Sequence, residues 1–116
     1  MNPEDPAAAL VTGVLVALAD PTRRQLLDLL ADQGQATATT LAEGVPVSRQ
    51  AVVKHLTVLD DAGLVEATRA GREVRYTVRP DALDTTARWM AGLADQWDRR
   101  LARIKRFAEA AERDDT

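Results

Sequence analysis

The chain has 116 residues, 46% hydrophobic, 28% charged and only 3% aromatic, enough for one modest core of Leu, Val and Ala but not for two. It has no cysteine, which excludes a disulfide framework, a thiolate metal site and a thiol nucleophile and is compatible with a cytoplasmic location. The net charge is −3, but acids gather near the two ends while Arg69 to Arg79 holds four arginines and one glutamate, so the negative total does not exclude nucleic acid.

In chain order, Pro6 to Ala19 carries Leu10, Val11, Val14, Leu15 and Leu18 at helical spacing. The stretch follows Glu4 and Asp5, not a positive flank, so it does not read as a signal peptide. It is also shorter than the roughly 20 residues a bilayer span needs, and no membrane partner is expected. Asp20-Pro21 restarts the chain as N-cap and first helical residue, and Leu26, Leu27, Leu29 and Leu30 form the apolar side of a helix ending before Gly34. A threonine-rich connector, Gln35 to Thr40, leads into a short helix around Thr39 to Glu43, closed by Gly44. After the turn Val45-Pro46-Val47, Ser48 caps a helix reaching about Ala62, with Val52, Leu56 and Leu59 facing inward. The period then changes from 3.6 to 2. Leu64–Arg69 and Glu73–Arg79 read as strands joined by Ala70-Gly71-Arg72, with Val74, Tyr76 and Val78 on the inner face of the second. Pro80 opens a final helix to about Glu112. Its residues Leu83, Ala87, Met90, Ala94, Trp97, Leu101, Ile104, Ala108 and Ala111 repeat in steps of four and three.

This order predicts a mainly α fold with a small β-hairpin: a winged helix-turn-helix, dimeric through its terminal helices. It is one domain over 1–116. Residues 1–19 form an N-terminal dimerisation helix, 20–79 the DNA-binding core and wing, and 80–116 a long C-terminal dimerisation helix with a disordered acidic tail. The logic is geometric: the second helix of the pair enters the major groove while the first braces it.

The runs Leu18-Ala-Asp-Pro-Thr-Arg-Arg-Gln-Leu-Leu, Leu41-Ala-Glu, Val47-Ser-Arg-Gln-Ala-Val-Val-Lys-His-Leu-Thr-Val-Leu, Ala62-Gly-Leu-Val and Gly71-Arg-Glu-Val-Arg-Tyr resemble the ArsR/SmtB family of bacterial repressors. The likeness covers about Leu18 to Val78, and Trp97-Asp-Arg-Arg-Leu with Ile104 is similar to a metal-independent subgroup. The resemblance implies a homodimer that represses transcription from a palindromic operator in double-stranded DNA.

On the recognition helix, Arg49, Gln50, Val53, Lys54 and Thr57 lie off the inward face. Arg49 suits guanine and Gln50 adenine, Val53 suits a thymine methyl where relatives often carry a small polar residue, and Lys54 suits phosphate. Ser48 can cap the helix and also meet a phosphate. For each of these the bland alternative is a solvated helix face. His55, the single histidine, either packs against the scaffold or contacts DNA. In the wing, Arg72 at the tip and Arg75 are candidate DNA contacts, while Arg69 and Arg79 equally suit pairing with Glu66 or Glu73. Arg23 and Arg24 suit phosphate, with Arg24–Asp28 as an internal alternative.

The last helix, about 32 residues and near 48 Å at 1.5 Å per residue, overhangs so small a domain. Leu10, Val14, Met90, Trp97, Leu101 and Ile104 are therefore expected at a two-fold interface. No cofactor and no metal are expected: there is no Cys, and the last helix has no His to join its carboxylates. An unknown small-molecule inducer has its natural place near Trp89 and Trp97, where dimer packing is the competing reading. No catalytic constellation is present, and no enzyme is expected. The rival reading is a winged-helix protein–protein interaction module without DNA binding, supported by the overall acidity and weakened by the donor-rich face of the recognition helix. Activation in place of repression stays open.

Overall fold

The computed structural model describes residues 2 and 4–114. The chain divides into two compact units, Met1–Thr86 and Ala87–Thr116.

In the first unit, α1 (Pro6–Leu18) starts on Asp5, whose carboxylate accepts from the Ala7 N–H at 3.0 Å. α2 (Pro21–Gln33) starts on Asp20, whose Oδ1 accepts from the N–H groups of Thr22 at 2.8 Å and Arg23 at 3.1 Å. These bonds satisfy donors that a helix start leaves without intrahelical partners. α2 closes on Gly34 at φ 80°, a left-handed conformation that only glycine adopts without strain. A short strand β1 (Ala36–Thr37) and α3 (Ala38–Ala42) follow, then α4 (Arg49–Asp61) capped by Ser48, whose Oγ accepts from the Ala51 N–H at 3.1 Å.

β2 (Val65–Ala70) and β3 (Glu73–Val78) form a hairpin with Gly71 at φ 64° in its turn. The sheet order is β1-β3-β2, all antiparallel, with Val65 opposite Val78, and Tyr76 between Ala67 and Ala36. The core of this unit is built from Leu26 and Leu30 of α2, Leu41 of α3, and Val52, Leu56 and Leu59 of α4, all fully buried. Each such side chain stabilises the fold by about 1.5–3 kcal/mol through loss of apolar contact with water. α4 is thus clamped along one side, and its other side is left for solvent or a ligand.

α5 (Asp81–Asp114) begins in the first unit, where Ala82 and Thr86 are buried, and runs through the second. Thr86 meets its burial by donating its hydroxyl to the Ala82 carbonyl at 2.9 Å. In the second unit Met90, Leu93, Trp97, Leu101, Ile104 and Phe107 are all exposed, Phe107 at 79%. Their steps of three and four place them on one side of the helix. Arg100 stands 5.8 Å over the Trp97 ring, and Arg99 donates a short bond to Asp95 one turn earlier.

Four expectations need correction. Val14, expected at a two-fold interface, is 0% exposed and lies in the protomer's own core; α1 is apolar around most of its circumference, so its pattern does not reveal which residues turn inward. Gln35 to Thr40 is more than a connector, because Ala36 and Thr37 pair with Tyr76 and Arg75. Val74, expected on an inner face with Tyr76 and Val78, is exposed, since the tip of the hairpin has no core above it. The last helix continues past Glu112 to Asp114, where a disordered tail was expected; Asp115 and Thr116 lie outside the described residues. Among the described residues no helix is long and apolar enough to cross a membrane.

Candidate nucleic-acid interface

α3 and α4 make the helix-turn-helix, and β2–β3 is the wing. The Ser48 cap fixes where α4 starts, and burial of Val52, Leu56 and Leu59 fixes its rotation. On the remaining side Ser48, Arg49, Gln50, Lys54 and Thr57 are exposed, while Val53 is half-buried against the core. Gln50 and Lys54 have no hydrogen-bond or ion-pair partner among the described residues, and both keep their full donor capacity. Thr57 donates its hydroxyl to the Val53 carbonyl at 3.0 Å, so outward it offers its methyl group and an acceptor. Arg49 turns back: its Nε donates to Thr39 Oγ1 on α3 at 3.0 Å.

His55 is half-buried, and its Nδ1 stands 3.4 Å from Arg23 Nη1. Arg23 is a hub. Its Nε donates to the Ala17 carbonyl at 2.7 Å and its Nη2 to the Val16 carbonyl at 3.1 Å, and its Nη1 lies 4.0 Å from Asp20. Arg24 donates to the Leu18 carbonyl. Two arginines of α2 therefore satisfy carbonyls at the end of α1, where cations also complement the helix dipole. The internal pair with Asp28 that the sequence offered for Arg24 does not form among the described residues. Asp20 is held below its ordinary carboxylate value chiefly by the Arg23 N–H. Burial opposes this, and the Thr22 N–H and the charge of Arg23 add smaller lowering contributions.

In the wing Arg72 and Arg75 are exposed. Arg75 pairs with Glu73 at 3.4 Å, and Arg72 has no partner among the described residues. Glu73 thus goes to Arg75, and not to the Arg69 or Arg79 that the sequence suggested. Between α3, the start of α4 and the wing runs a cleft of about 610 Å³, walled by Thr39, Thr40, Arg49, Val53, Arg72 and Tyr76.

Sequence reading missed three of those wall residues, Thr39, Thr40 and Tyr76. The threonine run was visible but carried no sign of what it would face. Tyr76 was read only as an inward strand residue. No group of three or more His, Cys, Asp or Glu placed to hold a metal exists among the described residues.

A helix-turn-helix domain model matches residues 18–68. The chain is 32% identical over 91 residues to the transcriptional repressor SdpR of Bacillus subtilis, covering 78% of this chain and all of that one. An ArsR-like transcriptional regulator from Rhodococcus sp. RHA1 has the same fold at TM-score 0.77 and 44% identity, with 87% of this chain and 94% of that chain covered. A homodimeric winged helix-turn-helix DNA-binding domain from Mycobacterium bovis, described as a possible ArsR-family regulator, matches at TM-score 0.58 and 32% identity over 83% of this chain and 91% of its own. These relatives are transcriptional regulators, a class that acts by binding and not by catalysis. With this fold and these relatives, the chain belongs to the ArsR/SmtB family of winged helix-turn-helix transcriptional regulators.

Proposed function

We propose that this regulator is a homodimeric repressor that binds a palindromic operator through two copies of α4, and that it releases DNA in answer to something other than a metal. The observation that carries the DNA contact is the outward side of α4, where Gln50 and Lys54 stand exposed with no partner among the described residues, opposite a fully buried Val52, Leu56 and Leu59. Gln50 suits the N6 and N7 edge of adenine, Val53 a thymine methyl, and Ser48 and Lys54 the flanking phosphates. Thr57 adds its methyl group farther along the same helix. Arg72 and Arg75 of the wing suit the neighbouring backbone.

Dimerisation is supported by the exposed apolar side chains Leu10 on α1 and Met90, Trp97, Leu101 and Ile104 on α5, together with the homodimeric neighbour. Two-fold symmetry would carry over to the operator, with half-sites about 34 Å apart. The repressor role is supported by the named activity of SdpR. Independence from metals is supported by the chain's composition, with no cysteine and one histidine, which leaves no soft or imidazole-rich ligand set.

The test is selection of bound duplexes from a random pool, followed by titration of the winner with and without a chelator. We expect a sequence with inverted repeats and an affinity indifferent to chelation and to added zinc. Equal binding to all duplexes, or release on adding zinc, would refute the corresponding part.

A further inference from the structure

The cleft between α3, α4 and the wing is lined with donors that the protein does not use. Arg49 gives its Nε to Thr39 Oγ1, and its two Nη groups have no acceptor among the described residues. Thr39 Oγ1 accepts that bond, so its own O–H is left to donate. Thr40 Oγ1 accepts from the Thr37 hydroxyl at 3.1 Å, and its proton is likewise available. Arg72 on the wing side of the cleft has no partner among the described residues. The one carboxylate in the wall, Glu73, is taken by Nε and Nη2 of Arg75, both at 3.4 Å. Hydroxyls and guanidinium groups from three different elements thus converge on a space where the single anionic group is already neutralised.

Such a set calls for a ligand that is negative and only accepts. A phosphodiester meets that description. A guanine edge also only accepts, through N7 and O6, but it is neutral, whereas a phosphodiester carries the negative charge that two guanidinium groups favour. The Thr39 bond also holds the Arg49 guanidinium against α3, in the wall of the cleft.

We infer that this cleft seats one phosphate of the DNA backbone, with Arg49, held by Thr39, as its principal ligand, so that Arg49 sets the position of the duplex and does not read a base. The inference rests on the DNA-binding reading above and changes one part of it. Base discrimination falls to Gln50 and Val53. Thr39 acts through Arg49 as a positioning residue, and Arg72 closes the seat from the wing.

The experiment uses the full chain, a duplex selected from a random pool and an unrelated duplex of the same length, each titrated over a range of salt. Arg49→Ala should weaken both complexes by a similar factor, about tenfold or more for a charged hydrogen bond lost. It should also lower the slope of log affinity against log salt by about 1.8, because one phosphate contact is lost in each half-site. Thr39→Val should weaken both severalfold with the slope kept, since no charge is removed. Gln50→Ala should instead cost affinity mainly on the selected duplex. Neutral methylphosphonates placed one at a time should reveal a position in each half-site that matters to the wild type and not to Arg49→Ala. Loss of affinity confined to the selected duplex in Arg49→Ala, with the slope unchanged, would overturn the inference and return Arg49 to base reading. Failure of the wild type to bind either duplex would overturn the DNA-binding reading beneath it. All three substitutions are at exposed positions, and matching thermal melts would show that folding is retained.

Discussion

Replacing Trp97 with alanine tests whether the apolar side of α5 is an interface between two copies of the chain. The indole is 53% exposed in the protomer, which for a side chain that can bury about 150–250 Å² leaves on the order of 100 Å² in water. A two-fold contact covers that area twice. At about 25 cal/mol per Å², the pair of indoles would then stabilise the dimer by up to about 5 kcal/mol. Alanine keeps part of the contact and association has its own entropic cost, so we take about 3 kcal/mol, a rise of roughly two orders of magnitude in the dimer dissociation constant. Loss of the Arg100–Trp97 contact at 5.8 Å changes this little, because such pairs contribute only about 0.5–1 kcal/mol at exposed sites. Sedimentation equilibrium over a wide concentration range measures the constant directly, and far-UV circular dichroism checks that the helices persist. A variant that dissociates at the same concentration as the wild type would refute the reasoning.

Leu56→Ala should destabilise the fold by about 2–5 kcal/mol, because the side chain is fully buried on the inward side of α4 and its loss leaves a cavity; a loss below about 1 kcal/mol in urea unfolding would mean that α4 is not clamped as described. Asp20→Asn keeps a capping oxygen but removes the charge. The folded Asp20 titrates below its ordinary value of 3.8, so its charge contributes stability in full above that value and loses it as pH falls through the folded one. The wild type should therefore melt above the variant near neutral pH, and the gap should close below pH 3.8. A gap that stays constant down to strongly acid pH would rule out the charge as its source.

What could be read from the chain alone was whatever short stretches determine. Asp20, Ser48, Gly34 and Gly71 announce helix starts, a helix end and a turn, because a capping oxygen or a positive φ is a local requirement. The inward side of α4 was legible for the same reason: Val52, Leu56 and Leu59 follow the helical period among polar residues. β1 was not legible, since two residues have no period and their pairing partner lies some 40 positions away. The inward side of α1 was hidden by too many apolar residues, which is how Val14 came to be misplaced. The ties of Arg49 to Thr39 and of Arg23 to Ala17 and Val16 were out of reach as well. An exposed arginine and a tethered one look alike in a sequence, and only the fold decides which acceptor lies within hydrogen-bonding reach.

The contact between Arg23 and His55 has a consequence for the chemistry of the recognition helix. A guanidinium can only donate, so in a bond to the neutral imidazole the Nδ1 it faces at 3.4 Å offers its lone pair, and the ring proton then sits on Nε2. α2 thereby chooses the tautomer of a residue on another helix. The ring becomes an acceptor toward the scaffold and a donor through its other nitrogen, and replacing Arg23 would free it to reverse those roles without altering a single atom of His55 itself.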